Sequence, residues 1–327
     1  MLRRLALAHL PTPLWHSAAL DELVEAEVWV KRDDMSAGAE AGNKIRKLEY
    51  LLGDALERGA TTLITCGAVQ SNHARATALI AAQLGLRAVL LLRTPSPSVM
   101  QPITGNLLLD RLAGAEVRFI SPEAYRERAA LMTAVADDLK QRGQVPYVIP
   151  EGGSNGLGAL GYVDAMREVR LQLDARLGGG PAPFDAIVHA CGSGGTAAGC
   201  ALGAALWQVA DTTHAIAVCD DARYFEGAIG RIVLEATRLE PRLGSTNQLV
   251  IHDRFKGPAY GVASDEQRRF IVNVARRTGL VLDPVYSGKA LFGLAQLEPK
   301  PKRALFLHTG GLPGLLAQAD AFAEELG

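Results

Sequence analysis

Cysteine is scarce in this chain: four residues in 327, at 66, 191, 200 and 219, with no Cys-x-x-Cys spacing and no paired histidines. That pattern excludes a disulfide framework and a structural zinc site. The expectation is four reduced, mostly buried thiols, with Cys191 a packing residue and no metal bound. An excess of either charge is also missing. Thirty-four basic and 35 acidic residues leave a formal net charge of −1, with no basic block. Nucleic acid and anionic membrane are thereby excluded as main partners. No apolar run approaches the ~20 residues that a spanning helix needs. Met1-Leu2-Arg3-Arg4 leads into only six apolar or near-apolar residues before Pro11, too few for a signal-peptide core. The expected compartment is the cytoplasm. Internal repeats, low-complexity tracts and long linkers are absent too.

What is present is globular composition, 48% hydrophobic and 21% charged, over a length that suits about two domains. Short apolar segments alternate with amphipathic ones, which predicts an α/β fold with mainly parallel sheet. The expected strands are 27–31, 61–65, 88–92, 116–120, 147–149, 186–190, 215–218 and 304–307. Helices are expected over 43–58, where Ile45, Leu48, Leu51, Leu52 and Leu56 keep helical spacing, over 72–84 and 123–142, and from about 196.

Several segments carry groups able to do chemistry. Gly192-Ser193-Gly194-Gly195-Thr196 sits between a strand and a small-residue helix, where backbone N–H groups and a helix N-terminus bind phosphate. A tight packing turn is the plainer reading. Gly192-x-Gly194-x-x-Ala197 also fits the dinucleotide fingerprint, with Asp220 or Asp221 ending the next strand roughly 20–30 residues on. Under that reading the chain is a nicotinamide or flavin oxidoreductase. Lys44 follows the Gly-containing loop 36–42 at the first turn of a helix. In a cleft its ammonium form would be disfavoured, which eases Schiff-base formation, although a surface lysine explains that residue alone. Arg46 and Lys47 are read as solvated or salt-bridging. Ser71 and Asn72 fall at a helix N-terminus, where each is either a cap or a ligand for a hydroxyl or carboxylate. His73 reads as structural. Tyr260 and Tyr286 lie in turns, where tyrosine usually packs with a wet hydroxyl.

Taken in order, these pieces resemble the D-cysteine desulfhydrase and 1-aminocyclopropane-1-carboxylate (ACC) deaminase family of pyridoxal-phosphate enzymes, of the tryptophan-synthase-β fold type. The matching segments are 30–34 (Val-Lys-Arg-Asp-Asp), 42–49 around Asn43-Lys44, 70–73 (Gln-Ser-Asn-His), 147–150, 152–155, 158–162, 282–289 and 308–311. Ala41, Ala76 and Glu151 depart from the family pattern, as does the stretch 220–248.

The resemblance implies two three-layer α/β domains with the cofactor in the cleft between them, usually as a homodimer. Residues 1–47 and 163–327 would form the large domain and 48–162 the small one. It implies that Lys44 carries pyridoxal phosphate as a Schiff base and that Ser71 faces the substrate carboxylate, with His73 beside it. Asn72 would face the cofactor's ring hydroxyl, Gly192, Ser193, Gly194, Gly195 and Thr196 its phosphate, and Tyr260 and Tyr286 the substrate. Ser287 and Thr309 would supply hydroxyl groups where ACC deaminases resembling this chain carry glutamate and leucine. The expected activity is β-elimination from a small amino acid, with D-cysteine going to pyruvate, sulfide and ammonia as the first choice. ACC deamination, cysteate sulfo-lyase activity, the oxidoreductase and a non-catalytic cofactor-binding protein are the alternatives.

Overall fold

A computed structural model describes residues 2–327. In chain order its strands are β1 (Leu14–His16), β2 (Glu27–Lys31), β3 (Thr62–Ala68), β4 (Arg87–Arg93), β5 (Glu116–Ile120), β6 (Pro146–Val148), β7 (Phe184–Cys191), β8 (Ala210–Ala217), β9 (Gln248–His252) and β10 (Arg303–Leu307). They form two sheets, ordered β1-β2-β10-β7-β8-β9 and β5-β4-β3-β6. Every pairing is parallel except β1 with β2. The mainly parallel α/β expectation therefore holds.

Parallel strands are covered on both faces and so read as near-continuous apolar runs. In β10, Ala304 and Phe306 enter one core while Leu305 and Leu307 enter another, as a side-chain period of two requires. In the smaller sheet, Leu90 and Leu92 point to one side of β4, and Val89 and Leu91 to the other. Strand membership separates residues 62–148 from the rest, and on that ground we propose the division into 48–162 against 1–47 with 163–327.

The helices Asn43–Glu57 and Gly156–Asp174 pack on each other and carry residues from both units. Gly161 allows the contact, because a Cβ there would lie 2.2 Å from the Arg46 carbonyl oxygen. Arg46 and Lys47 are both 1% exposed, which corrects the solvated reading. Arg46 donates a forked pair of bonds to Asp33, at 2.8 and 2.9 Å, and a further bond to Glu168 at 3.0 Å. Asp33 also accepts from the Tyr162 hydroxyl at 2.6 Å and from Thr12 at 2.9 Å. Lys31 joins through Glu168 and Gln172. Burial opposes the charge on Asp33, yet the Arg46 guanidinium, Lys31 and the Tyr162 hydroxyl hold its carboxyl below the usual range. The expected helix 123–142 is two helices, Pro122–Arg126 and Arg128–Gln141. The segment 220–248 that had no counterpart holds a helix, Ala222–Leu239, whose Phe225, Ile229, Ile232 and Ala236 are buried.

The ion network yields a contrast. Removing one member of a buried pair leaves an uncompensated charge, so Asp33→Ala should lower unfolding free energy by about 3–5 kcal/mol. Arg58→Met breaks an exposed pair with Asp54 and should change it by less than ~0.5 kcal/mol. Denaturant titration of both variants checks this; equal effects would contradict it.

Candidate active site

Lys44 stands in the first turn of the helix Asn43–Glu57, after Gly42, whose φ of 125° is open to glycine. Its ammonium reaches into a cavity shared with Asn43, Asn72, Gly192, Thr196, Tyr286 and Thr309. It makes no hydrogen bond or ion pair with the described residues. Burial pulls its pKa from 10.5 to about 8, against weak support from Cys191 and Glu151. The Cys191 thiol beside it is pushed up by burial to about 12, so it stays protonated and packs. The other thiols are also free, and only Cys219 is not fully buried.

The turn after β7 runs directly into the helix Gly195–Trp207, with Gly194 at φ 86° as its N-cap. Gly192, Ser193, Gly194 and Thr196 line the cavity with Lys44. Lys47, one helical turn beyond Lys44, closes the same corner. A Cβ at Gly195 would meet the Lys47 Nζ at 2.7 Å and the Ser154 Oγ at 2.6 Å. Lys47 donates only to the Gly152 carbonyl and to Ser154, each at 3.1 Å. Burial and the neighbouring Lys44 push its pKa well down. A helix N-terminus and a buried ammonium thus converge with no carboxylate between them, which suits an anion. Lys47 was read as a surface residue, and the i, i+3 spacing from Lys44 was the available signal that it shares Lys44's face.

Ser71 caps the helix Asn72–Gln83 by accepting from the Ala74 N–H at 3.2 Å, and it also lines the wider cavity with Lys44 and His73. Capping and cavity roles are compatible. The Asn72 Oδ1 accepts from Asn106 Nδ2 at 3.1 Å, and the same Asn106 amide donates to the Gln70 carbonyl at 3.0 Å. This leaves the Asn72 Nδ2 to donate into the cavity. Asn106, in the helix Gly105–Leu112, had no sequence signal. Burial, with Lys44 and Lys47 nearby, drives His73 well below its usual pKa. It is therefore neutral, and it bonds Thr65 at 2.9 Å.

Tyr260 and Tyr286 meet through their hydroxyl groups at 2.6 Å. Burial raises both, Tyr260 to about 12 and Tyr286 further, so both remain phenols. Asp283 fixes Tyr286 by accepting from the N–H groups of Val285, Tyr286 and Ser287 at 2.7–2.9 Å. Lys289 holds the Tyr260 loop through the carbonyls of Lys256 and Ala259. Thr309 lines the cavity with Lys44, whereas Ser287 is fully buried, does not line it, and donates to Asp283 Oδ1 at 2.6 Å. In the competing dinucleotide reading Asp221 would bind a ribose; here it caps the helix Ala222–Leu239, accepting from the Tyr224 N–H at 2.8 Å.

This donor set fits pyridoxal phosphate. Lys44 offers an amine for the aldehyde. The 192–196 turn, Lys47 and Thr196 suit the phosphate, and the Asn72 amide suits the ring hydroxyl. No group of three or more metal-ligating side chains exists among the described residues, and no described helix is long and apolar enough to cross a membrane.

The family profile described as pyridoxal-phosphate dependent enzyme matches residues 5–310. A mitochondrial bifunctional D-cysteine desulfhydrase/ACC deaminase of Arabidopsis thaliana is 42% identical, covering 98% of this chain and 81% of the relative. A putative ACC deaminase of Thermotoga maritima is 41% identical, covering 97% and 98%. A solved structure of an ACC deaminase homologue superposes with a TM-score of 0.89 at 37% identity, covering 99% of this chain and 96% of the other.

The lowered Lys44 pKa sets a pH dependence. Only the free amine condenses with an aldehyde, and its fraction grows as pH rises through the folded pKa. The rate at which cofactor-free protein takes up pyridoxal phosphate, followed by absorbance, should climb and level off above about pH 8. A rate still climbing towards the ordinary lysine value of 10.5 would contradict it.

Proposed function

From the premise that this chain belongs to the pyridoxal-phosphate-dependent enzyme family, we propose that it eliminates the β-substituent of a small amino acid. D-cysteine, giving pyruvate, sulfide and ammonia, is the leading substrate. The cofactor, when bound, supplies an electron sink next to the substrate's Cα. The rest falls to the protein. The N–H groups at the start of the helix Asn72–Gln83, with Ser71, hold the substrate carboxylate. Lys44 Nζ takes the Cα proton, a task suited to its pKa of about 8. The Tyr260–Tyr286 pair hands a proton to the departing sulfur, since a phenol hydrogen-bonded to a second phenol replaces its proton readily. The 2-aminoacrylate released then hydrolyses to pyruvate and ammonia.

The observation that carries the choice of substrate is the absence of any carboxylate among the residues lining the cofactor cavity. Asp283, beside it, is saturated by three backbone N–H groups and the Ser287 hydroxyl. A carboxylate would favour a protonated ring nitrogen, and each pKa unit is worth about 1.4 kcal/mol. The Thr309 hydroxyl on the cavity wall leaves a weaker sink, adequate for expelling sulfide but poor for opening a carbon ring. ACC deamination remains the second reading, supported by the names of the Arabidopsis and Thermotoga relatives. A homodimer is supported by Leu108 and Leu112, exposed beside Leu312 and Leu316, which are exposed as well.

The purified protein should release sulfide and pyruvate from D-cysteine and little 2-oxobutanoate from ACC. Ser287→Glu with Thr309→Leu should move that product ratio towards ACC by at least about tenfold, the worth of one pKa unit. Efficient ACC turnover by the unaltered protein would sink the substrate assignment.

A further inference from the structure

When the Tyr260–Tyr286 pair gives a proton to departing sulfur, one of the two phenols is left negatively charged. Tyr286 lines the smaller cavity with Lys44, whereas Tyr260 lines only the wider one. Their hydroxyl groups meet at 2.6 Å, so a proton lost from Tyr286 is replaced along that bond from Tyr260. Burial raises both. The bond to Tyr286 and the charge of Arg93 hold Tyr260 to about 12, while Tyr286 stands higher. Tyr260 is therefore the phenol placed to carry the charge.

Arg93 stands on the face of that ring. It is the last residue of β4, at the carboxyl edge of a parallel sheet, where α/β folds place functional groups. Its guanidinium lies 5.4 Å from the centroid of the Tyr260 ring and 4.9 Å from that of Tyr125. No carboxylate pairs with it among the described residues. The nearest candidate is Glu151, which departs from the family pattern and is already committed. It accepts from the Tyr125 hydroxyl at 2.6 Å and pairs with Arg128 at 2.9 Å. The carboxylate thus fixes the second ring on which Arg93 rests and balances Arg128, leaving Arg93 uncompensated. Lys289 binds the backbone of the Tyr260 loop. Cys219, also near Tyr260, is kept a neutral thiol by burial.

We propose that Arg93 is a positioning residue for the elimination that acts through Tyr260, its guanidinium on the ring face stabilising the phenolate formed as sulfur takes a proton. This rests on the β-elimination reading with sulfide as the leaving group. Lys44 Nζ takes the Cα proton, the Cα–Cβ bond becomes double, and the Cβ–S bond breaks with its electron pair on sulfur. Sulfur gains a proton from Tyr286, and Tyr286 regains one from Tyr260. The proton that Lys44 gained returns through water to Tyr260, and no oxidant or reductant is needed. The ring is neutral before the step and anionic during it. A fixed cation on its face therefore binds the transition state more tightly than the ground state.

The test compares two leaving groups. β-Chloro-D-alanine undergoes the same elimination, but chloride departs without a proton and makes no demand on Tyr260. Both substrates yield pyruvate, so one assay follows both. A charge at this range is worth at least about one pKa unit, and a proton about half transferred in the transition state expresses half of that. Arg93→Met should thus lower the ratio of kcat for D-cysteine to kcat for β-chloro-D-alanine at least about threefold. Arg93→Lys, which keeps the charge, should recover most of the ratio. Should Arg93→Met not fold, Arg93→Gln, polar and uncharged, carries the same expectation.

A second readout needs no turnover. In protein carrying 3,5-difluorotyrosine, a more acidic phenol, fluorine NMR follows the Tyr260 resonance, assigned from Tyr260→Phe. Loss of the Arg93 charge should raise its titration midpoint by at least about one unit. An unmoved midpoint, an unchanged ratio, or Arg93→Lys as impaired as Arg93→Met overturns the proposal. A raised midpoint in a protein that forms pyruvate from neither substrate upholds the link between Arg93 and Tyr260 and sinks the β-elimination reading. Pyruvate from both substrates with an unmoved midpoint does the reverse.

Discussion

Two lysines one helical turn apart, Lys44 and Lys47, face the N-terminus of the helix Gly195–Trp207 with no carboxylate to balance them. Burial lowers the affinity of both for a proton, and Lys44 lowers that of Lys47 further. A protein can hold such a concentration of positive potential only at a site that receives an anion or keeps one lysine neutral. Here both outcomes serve the same cofactor. The phosphate answers Lys47 and the helix terminus, and the neutral amine of Lys44 is the form that reacts. The buried Arg46–Asp33–Glu168–Lys31 network lies along the same helix and fixes the first turn from which Lys44 projects. It ties the strand β2 and the helix Gly156–Asp174 to Arg46, so the first turn that carries Lys44 is anchored to the larger sheet.

Basicity alone does not single out Lys44. Lys289 is also buried and brought down to about 8, and Lys31 is wholly buried with its pKa lowered. What separates them is the use of their N–H groups. Lys289 ties down the loop that carries Tyr260, and Lys31 is bound to Glu168, Gln172 and the Thr12 carbonyl. Lys44 alone of the three lies on the cavity wall. Geometry decides between groups that burial has made chemically alike.

Much of this was legible in the sequence. The alternation of elements, the 192–196 turn and the order of the motifs follow from local apolar periodicity and turn residues, which neighbouring residues encode. The insertion of β10 between β2 and β7 does not, because strand order is a long-range property. Arg46 is salt-bridging, one of the two readings given for it, but the burial of Arg46 and Lys47 was missed for a physical reason. An amphipathic pattern identifies the apolar face of a helix, but it cannot show that the polar face is also buried, against an ion network and a cofactor pocket. The helix Ala222–Leu239 was readable, since Phe225, Ile229 and Ile232 keep helical spacing. Nothing in the run 123–142 marks the break at Glu127. Asn106, and the stacking of Arg93 on rings from distant segments, needed three-dimensional structure.

Lys44 as the one lysine that bonds the cofactor is the assignment on which the site depends. Borohydride reduction of the yellow protein, followed by peptide mass mapping, tests this directly. The expected result is loss of colour and a single pyridoxyl adduct on the peptide containing Lys44. An adduct on Lys31, Lys256 or Lys289, or colour that survives reduction, would contradict it.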